Sequence, residues 1–243
     1  MNENDSVIFG TSKINYEITY SVRRKNVSIS VSPDKKVKVL APSNLTPEAI
    51  REVVKRKADW VLKKLEWFDH IQQFDSSKEY VSGETFLYMG RQYRLKILSE
   101  NFEVSIRLKG RFFEVTIPKD TPQENRQQLV RGVLWKWYVE HAEKKLREIS
   151  QTYSRKLHIS PPSLKVKSQA KRWGSCSKDN VIRINVQIIM APMKQIEYVI
   201  AHELCHIKYK SHSSDFWKSL RLIMPDYELR KESLRKEGWR YVL

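Results

Sequence analysis

Residues 202–212, HELCHIKYKSH, contain three of the six histidines in a chain of 243 residues. His202 and His206 are four positions apart, so on an α-helix their imidazoles lie on one face, one turn apart. Two such nitrogens can bind a tetrahedral zinc ion. Glu203, beside the first histidine, can then reach a water on the metal without binding the metal itself. The motif therefore predicts zinc-dependent hydrolysis, with one zinc ion per chain and Glu203 as the general base.

The helix that carries this motif has an apolar stripe, and the glutamate falls inside it. The stripe consists of Ile196, Val199, Ile200, Leu204 and Ile207. At about 100° per residue, Glu203 lies within the stripe and the two histidines lie along its edge. A lone carboxylate in a buried stripe is costly unless it is paired or has a task. Burial would raise its pKa, which suits a general base.

His212 is the third candidate ligand. It follows His206 by six residues, the spacing of the extended zinc motif H-E-x-x-H-x-x-G-x-x-H, but Tyr209 occupies the glycine position. A sharp left-handed turn is costly for tyrosine. The sequence therefore predicts a helix that continues to about Lys210 and a turn at residues 211–213. His212 would reach back from the junction with the next helix.

The elements around this helix predict an α+β protein with a β-rich N-terminal region. Residues 14–42 alternate between apolar and polar types and predict antiparallel strands with one wet face. Residues 46–68 predict a helix that starts with Thr46 as N-cap and Pro47 in its first turn. A polar segment near residues 75–80 lacks periodicity, which predicts two regions, residues 1–78 and 79–243.

The second region repeats the order of strands followed by a helix. The predicted elements are strands within 84–118, a helix over 121–157, two strands around the loop GSCSKDN, and helices over 192–210, 213–223 and 226–238. The segments 39–65 and 115–146 share a proline, a Thr-Pro pair, a helix and Lys-Lys-Leu. Either a unit is duplicated, or common helix-cap chemistry is used twice.

Composition narrows the class of protein. Hydrophobic residues make up 40% of the chain, and the start of the chain has no secretory pattern of a basic segment followed by an apolar one. No apolar run is long enough to span a membrane. The two cysteines, Cys176 and Cys205, do not form a disulfide framework, so we expect a cytoplasmic protein. The net charge of +17 indicates either a solvated basic surface or non-specific association with nucleic acid.

Four residues outside the histidine motif have two interpretations each, and Cys205, inside the motif, has one. Arg172 and Trp173 could bind substrate or simply pack, and Asn185 could bond to a substrate backbone from its strand. Cys176 could reach the metal as a thiolate or serve as a structural turn residue. Cys205 points away from both histidines by helix geometry, which indicates a small buried filler.

Three separated segments together resemble the YgjP-like metallopeptidases, which are zincins related to the SprT and WLM groups. They are RWGSCS (172–177), YVIAHELCHIKYKSHSSDFW (198–217) and MPDYELRKESL (224–234). The match is close over about 165–240. The resemblance implies a C-terminal zincin-like domain with a short antiparallel or mixed sheet. It also implies zinc ligands at His202, His206 and His212, a catalytic Glu203, a strand at 181–189 lining the cleft, and a protein or peptide substrate.

Two other functions remain open at this point. A metal-dependent nucleotide or phosphoanhydride hydrolase would explain the basic charge, although the chain has no Gly-rich phosphate loop. A basic nucleic-acid-associated module with a structural zinc would need a fourth protein ligand, whereas a catalytic zinc keeps that position for water.

Overall fold

A computed structural model describes residues 2–32, 34–72, 78–100, 103–169 and 172–243. The chain forms two compact units, Met1–Ser77 and Lys78–Leu243. Of the polar segment expected near residues 75–80, residues 75–77 lie outside the described residues. Within the described chain, no helix is long and apolar enough to cross a membrane.

The first unit is a four-stranded sheet followed by two helices. Its elements are β1 (Asn2–Phe9), β2 (Ser12–Ser21), β3 (Ser28–Val31), β4 (Val37–Pro42), α1 (Pro47–Arg56) and α2 (Ala58–Gln72). The strand order is β1-β2-β4-β3, with β2 parallel to β4. The prediction of antiparallel strands is therefore wrong for the central pair. Two hairpins lie side by side and pair through their second strands, which run in the same direction.

The helix expected over 46–68 is divided in two. Thr46 caps α1 as predicted, since its side chain accepts a hydrogen bond from the Ala49 N–H. The helix closes at Lys57, whose N–H bonds to the carbonyl of Val54 at 3.0 Å, and α2 then begins at Ala58. The apolar faces of α1 and the sheet form the core of this unit, which includes Ile18, Val39 and Ile50.

The second unit begins with another four-stranded sheet. Its elements are β5 (Thr85–Tyr88), β6 (Arg91–Glu100), β7 (Ser105–Lys109), β8 (Phe112–Pro118) and the long helix α3 (Gln123–Lys156). The strand order is β5-β6-β8-β7, and β6 is parallel to β8. This topology is the same as that of the first unit, so the similarity of the two segments extends beyond helix-cap chemistry to a repeated arrangement of strands.

The histidine motif lies in the remaining part of the second unit. It comprises β9 (Leu164–Lys167), β10 (Gly174–Cys176), β11 (Ile182–Asn185), a 3₁₀ helix (Val186–Met190), α4 (Met193–Lys208), α5 (Ser214–Ile223) and α6 (Tyr227–Glu237). The three strands form a mixed sheet, since β11 is antiparallel to β10 and parallel to β9. The α+β class, the β-rich N-terminal region and the mixed sheet are confirmed.

The strand expected at 181–189 differs from the prediction in two respects. Only Ile182–Asn185 is a strand, and the following residues form the 3₁₀ helix. This strand is the central one of the sheet, paired on both sides, so its backbone is already used. The two edge strands are β10, which packs against α4, and β9, which packs against α3.

Candidate metal centre

The helix α4 is positioned by its buried apolar face. It begins after Pro192, and Ile196, Ile200 and Leu204 are fully buried in the core of the second unit. The first turn of α4 is also held by the C-terminal segment, because the Tyr241 hydroxyl donates to the carboxamide oxygen of Gln195 at 2.7 Å. The motif histidines therefore stand on a helix anchored both along its face and near its start.

The three histidines converge at the end of α4. His202 and His206 project from the helix, and His212 reaches back from the loop before α5. One ligand-type ring nitrogen from each lies within 4.8 Å of the others, and the Nε2 atoms of His202 and His212 are 3.0 Å apart. Within the described residues, this is the one cluster of histidine, cysteine or acidic side chains with the geometry to hold a metal ion.

Local electrostatics favour the uncharged form of two of these imidazoles, those of His202 and His212. Burial, together with the neighbouring His206 and His212, lowers the pKa of His202 to about 3. Burial and His206 also lower the pKa of His212 below its ordinary value. A neutral imidazole offers a lone pair, which is the form that binds a metal ion.

The end of α4 is set by a bond from one of these rings. The His206 Nδ1 lies 3.0 Å from the carbonyl oxygen of Tyr209, so Nδ1 carries the proton and Nε2 is left to face the cluster. The helix ends at Lys208, two residues earlier than predicted. Tyr209 is extended, with φ of −125°, so the chain leaves the helix without the left-handed turn that a glycine would make.

Aromatic rings from α5 enclose the cluster. The Phe216 ring is fully buried and lies 4.7–5.0 Å from all three histidine rings. Trp217 stacks on His212 at 5.4 Å, and the Lys231 ammonium lies 5.0 Å from the Trp217 ring. Ser213 fixes the start of this helix by accepting a hydrogen bond from the Phe216 N–H. Phe216 and Trp217 therefore pack directly against the histidine rings.

Glu203 lies beside the cluster in an apolar environment. Its side chain is 7% exposed, and burial raises its pKa to about 7, a rise that the charge of Arg172 partly offsets. Among the described residues, no hydrogen bond or ion pair engages its carboxylate. A carboxylate with this pKa can take up and release a proton near neutral pH.

Arg172 and Trp173 were both expected either to bind substrate or to pack. The structure packs only Trp173 against the rest of the protein. The exposed Arg172 is near enough to Glu203 to affect its pKa. Trp173 packs its ring edge-on to Tyr241 at 6.0 Å and covers Gly238. The contacts of Trp173 are those of a packing residue.

Asn185 is occupied by the protein itself. Its amide nitrogen donates to the carbonyls of Gln169 at 2.8 Å and Arg172 at 3.3 Å, and its oxygen accepts from the Gln187 N–H. The side chain is buried. Asn185 thereby holds the segment before β10 in place and caps the 3₁₀ helix.

Neither cysteine belongs to the histidine cluster. Both thiols are free, and Cys205 is fully buried, as its position on the helix predicts. The Cys176 sulfur contacts the carbonyl of Ser177 at 3.6 Å, and burial raises the pKa of its thiol. A raised pKa disfavours the thiolate, the form in which cysteine binds a metal.

Sequence reasoning missed two kinds of site residue. Gly174 lies so close to Glu203 that a Cβ built on it would be 2.7 Å from the Glu203 Cγ. Phe216 and Trp217 pack on the histidine rings. The Phe-Trp pair shortly after His212 could have indicated an aromatic surround, but the glycine contact joins distant elements and leaves no periodic signal.

Comparison with known proteins gives one family match. The model of the YgjP-like, metallopeptidase domain matches residues 25–237. No match is found among curated proteins.

Two solved structures are similar to parts of the chain. The metallopeptidase zymogen abylysin of Pyrococcus abyssi is 18% identical over 37% of this chain and 90% of its own, with a TM-score of 0.35. The metallopeptidase zymogen jannalysin of Methanocaldococcus jannaschii is 24% identical over 37% of this chain and 85% of its own, with a TM-score of 0.33.

Proposed function

The chain belongs to the YgjP-like metallopeptidase family, and from this premise we propose that it is a zinc peptidase with Glu203 as general base. His202, His206 and His212 would hold one zinc ion. The observation that carries the proposal is the convergence of three imidazoles beside a buried carboxylate of raised pKa. We propose the cytoplasm as its location, consistent with two free thiols.

The donor set supports zinc as the metal. Three nitrogen ligands at about 2.0–2.1 Å from a tetrahedral ion lie ~3.3 Å apart. The separation of 3.0 Å between the Nε2 atoms of His202 and His212 is close to that value. A bound zinc ion would supply Lewis acidity, which acidifies water and polarises the scissile carbonyl. Within the described residues no fourth side chain joins the cluster, which supports a catalytic over a structural site.

Glu203 would move the proton in this reaction. With a pKa near 7, its carboxylate can accept a proton from the attacking water and then donate it to the departing amine. Its position in the apolar stripe excludes water from the sides of the carboxylate that face the core. Arg172 would tune this balance by favouring the charged form.

The open edge of β10 would bind the peptide substrate. The Asn185 N–H bonds to the Trp173 carbonyl, and the Ser177 N–H bonds to the Val181 carbonyl. In an antiparallel pair, the backbone N–H and C=O groups of successive residues point alternately toward the partner strand and away from it. Those of Gly174 and Cys176 therefore point away from β11. An extended peptide can pair with these groups as an added strand. Substrate would therefore lie along β10, beside Glu203.

The proposal is tested by metal content and turnover on the same preparations. We expect one zinc per chain, less zinc in His202→Ala, His206→Ala and His212→Ala, and full zinc in Glu203→Gln. The last variant keeps the shape of the side chain but cannot accept the proton, so peptide hydrolysis should fall by about 10²–10⁴.

Glu140→Gln is the matched control, since Glu140 is an exposed glutamate on α3, and it should behave as the wild type. Unchanged turnover in zinc-loaded Glu203→Gln would remove Glu203 from the mechanism. Nucleoside triphosphates are assayed in parallel, and hydrolysis of these without peptide cleavage would favour the phosphoanhydride alternative.

The basic charge supports a separate, weaker proposal of nucleic-acid association. A net charge of +17 should give non-specific binding to DNA that weakens steeply with salt, because neutralised phosphates release counterions. Binding measured at increasing salt tests this, and a flat dependence would indicate that the charge only solvates the surface.

A further inference from the structure

Gly174 and Glu203 are in closer contact than any other residue type at position 174 would allow. A Cβ built on Gly174 would lie 2.7 Å from Cγ, 2.8 Å from Oε1 and 3.0 Å from Cδ of Glu203. Real Cβ atoms essentially never approach other heavy atoms this closely. The glycine is not required for its backbone, since its φ lies outside the positive range in which side chains are strained.

The conflict involves the root of the glutamate side chain as well as its end. Cγ is the first atom beyond the Cβ that α4 fixes in space, so rotation about the last bonds of Glu203 cannot relieve the 2.7 Å contact. The helix is held by its buried apolar face, and β10 is held by its pairing with β11. A side chain at position 174 must therefore move the Glu203 carboxylate or separate the strand from the helix.

We infer that Gly174 is a positioning residue, whose missing side chain sets the depth at which the Glu203 carboxylate lies beside the edge strand. The inference rests on the proposed function, in which that carboxylate is the general base and β10 binds substrate. The glycine lets the strand that presents the substrate backbone and the helix that presents the base approach within contact distance. The edge strand and the base are thereby placed in one fixed relation.

The activity of Gly174→Ala gives the first test. We expect kcat to fall about 100-fold, as for a catalytic group misplaced by about 1 Å. KM should change less than about threefold, because an alanine keeps the backbone groups that pair with substrate. Zinc content should equal that of the wild type, since the three atoms nearest to a Cβ at position 174 all belong to Glu203 and none to a histidine. A loss confined to KM would contradict the inference, because it would indicate a substrate clash.

The second test is a double-mutant cycle that does not depend on activity. Gly174→Ala should lower the melting temperature of the wild type. In a Glu203→Ala background the atoms that conflict with the new methyl group are gone, so Gly174→Ala should leave the melting temperature unchanged or raise it. If Gly174→Ala alone fails to fold while the double variant folds, the same coupling is demonstrated.

Gly132→Ala provides the control for a glycine without neighbours. A Cβ built at Gly132 in α3 has no described heavy atom within 4 Å, so this variant should be active and at least as stable as the wild type. Equal destabilisation by Gly174→Ala with and without Glu203 would overturn the inference. If the substitutions at Gly174 and Glu203 are coupled in stability but the Glu203→Gln variant is active, the proposed function is rejected. The contact between the two residues would still stand.

Discussion

The first unit and the sheet that opens the second unit share one topology but differ in what their first hairpin contacts. Both have two hairpins joined through parallel second strands and followed by a helix. The first hairpin turns at Gly10 in one and at Met89 and Gly90 in the other. A Cβ built at Gly10 would have no described heavy atom within 4 Å, whereas one at Gly90 would lie 2.9 Å from the Cα of Pro192.

The turn in the second unit supports the helix that carries the candidate metal centre, through the start of α4. The N–H groups of Met89 and Gly90 donate to the carbonyls of Ile189 and Met190 at 2.8 and 3.0 Å. These carbonyls end the 3₁₀ helix, and Pro192 directly precedes α4. Met89 is held at φ of +49°, a strained value for a non-glycine residue that this docking offsets. In the second unit, the turn of the first hairpin is therefore docked on the segment that leads into α4.

The largest effect is expected when the docked glycine, Gly90, is substituted. Gly90→Ala places a methyl group against the backbone of Pro192 and also forces alanine to a φ of +77°. We expect the free energy of unfolding to fall by roughly 3–4 kcal/mol, from overpacking and left-handed strain together. Zinc affinity should fall too, because the start of α4 must shift. Urea unfolding and zinc titration measure both effects, and a variant with wild-type zinc affinity would show that the turn does not position the helix.

The next prediction concerns the carboxylate at the end of that helix. Burial raises the pKa of Glu203 from 4.5 to about 7, so the folded protein binds this proton more tightly than the unfolded chain does. The stability that the neutral carboxyl provides is complete below about pH 4 and is lost as the pH rises through 7. In zinc-free protein, Glu203→Gln should therefore be more stable than the wild type by about 2–3 kcal/mol at pH 8.

The advantage of Glu203→Gln should disappear near pH 4, where both side chains are uncharged. Thermal unfolding of the zinc-free proteins across this pH range measures it. An advantage that is equal at pH 4 and pH 8 would mean that the charge of Glu203 is not the cause.

Local pattern was sufficient to predict the helix with its buried glutamate. The period of Ile196, Ile200 and Leu204 places Glu203 on the buried face, and the structure has it there. The spacing of His202, His206 and His212 predicts their approach, because it depends on one helix and one short loop. These features need little information from distant parts of the chain.

Features that depend on pairing between distant segments were not predicted. The strand at Ile182–Asn185 alternates isoleucine with Arg183 and Asn185, a pattern that fits a central strand as well as a cleft strand, and only the position of β10 decides between them. The role of Asn185 likewise depends on where residues 169 and 172 lie. The parallel pair β2 and β4 cannot be distinguished from a hairpin by alternation alone, and β1 was missed because its sequence is largely polar.

A substitution at Gly10, in the turn without near neighbours, measures backbone strain alone and is compared with that at Gly90. Gly10→Ala also places alanine at a positive φ, +59°, but the new methyl group meets no described atom. We expect a loss of about 1 kcal/mol from backbone strain alone, with zinc content and turnover unchanged. The pair of alanine variants thus separates strain, which both share, from docking. A Gly10→Ala variant that loses zinc would contradict this assignment.

The smallest effect is expected at Asp5. Folding favours the charged form of Asp5, whereas it disfavours the charged form of Glu203. Although burial raises the pKa of Asp5, hydrogen bonds from Arg51, the Ser6 N–H and the Tyr16 hydroxyl outweigh it and hold the pKa below its ordinary value. A carboxyl whose pKa is lowered on folding stabilises the protein above its unfolded pKa, and this stability is lost as the pH falls through the folded pKa. Since the Arg51 side chain is half exposed, solvent screens the pair.

We therefore expect Asp5→Asn to lower stability by up to about 1 kcal/mol at pH 7 and by less at pH 3, the reverse of the pH dependence at Glu203. Hydrogen exchange of the amides in β1 and β2 reports this locally. Asp59→Asn is the matched control, because Asp59 forms an exposed pair with Lys63 on one helix, and it should have no measurable effect. If Asp5→Asn loses as much stability at pH 3 as at pH 7, the contribution of Asp5 comes from packing. The stability contributions of Asp5 and Glu203 would then not have opposite dependences on pH.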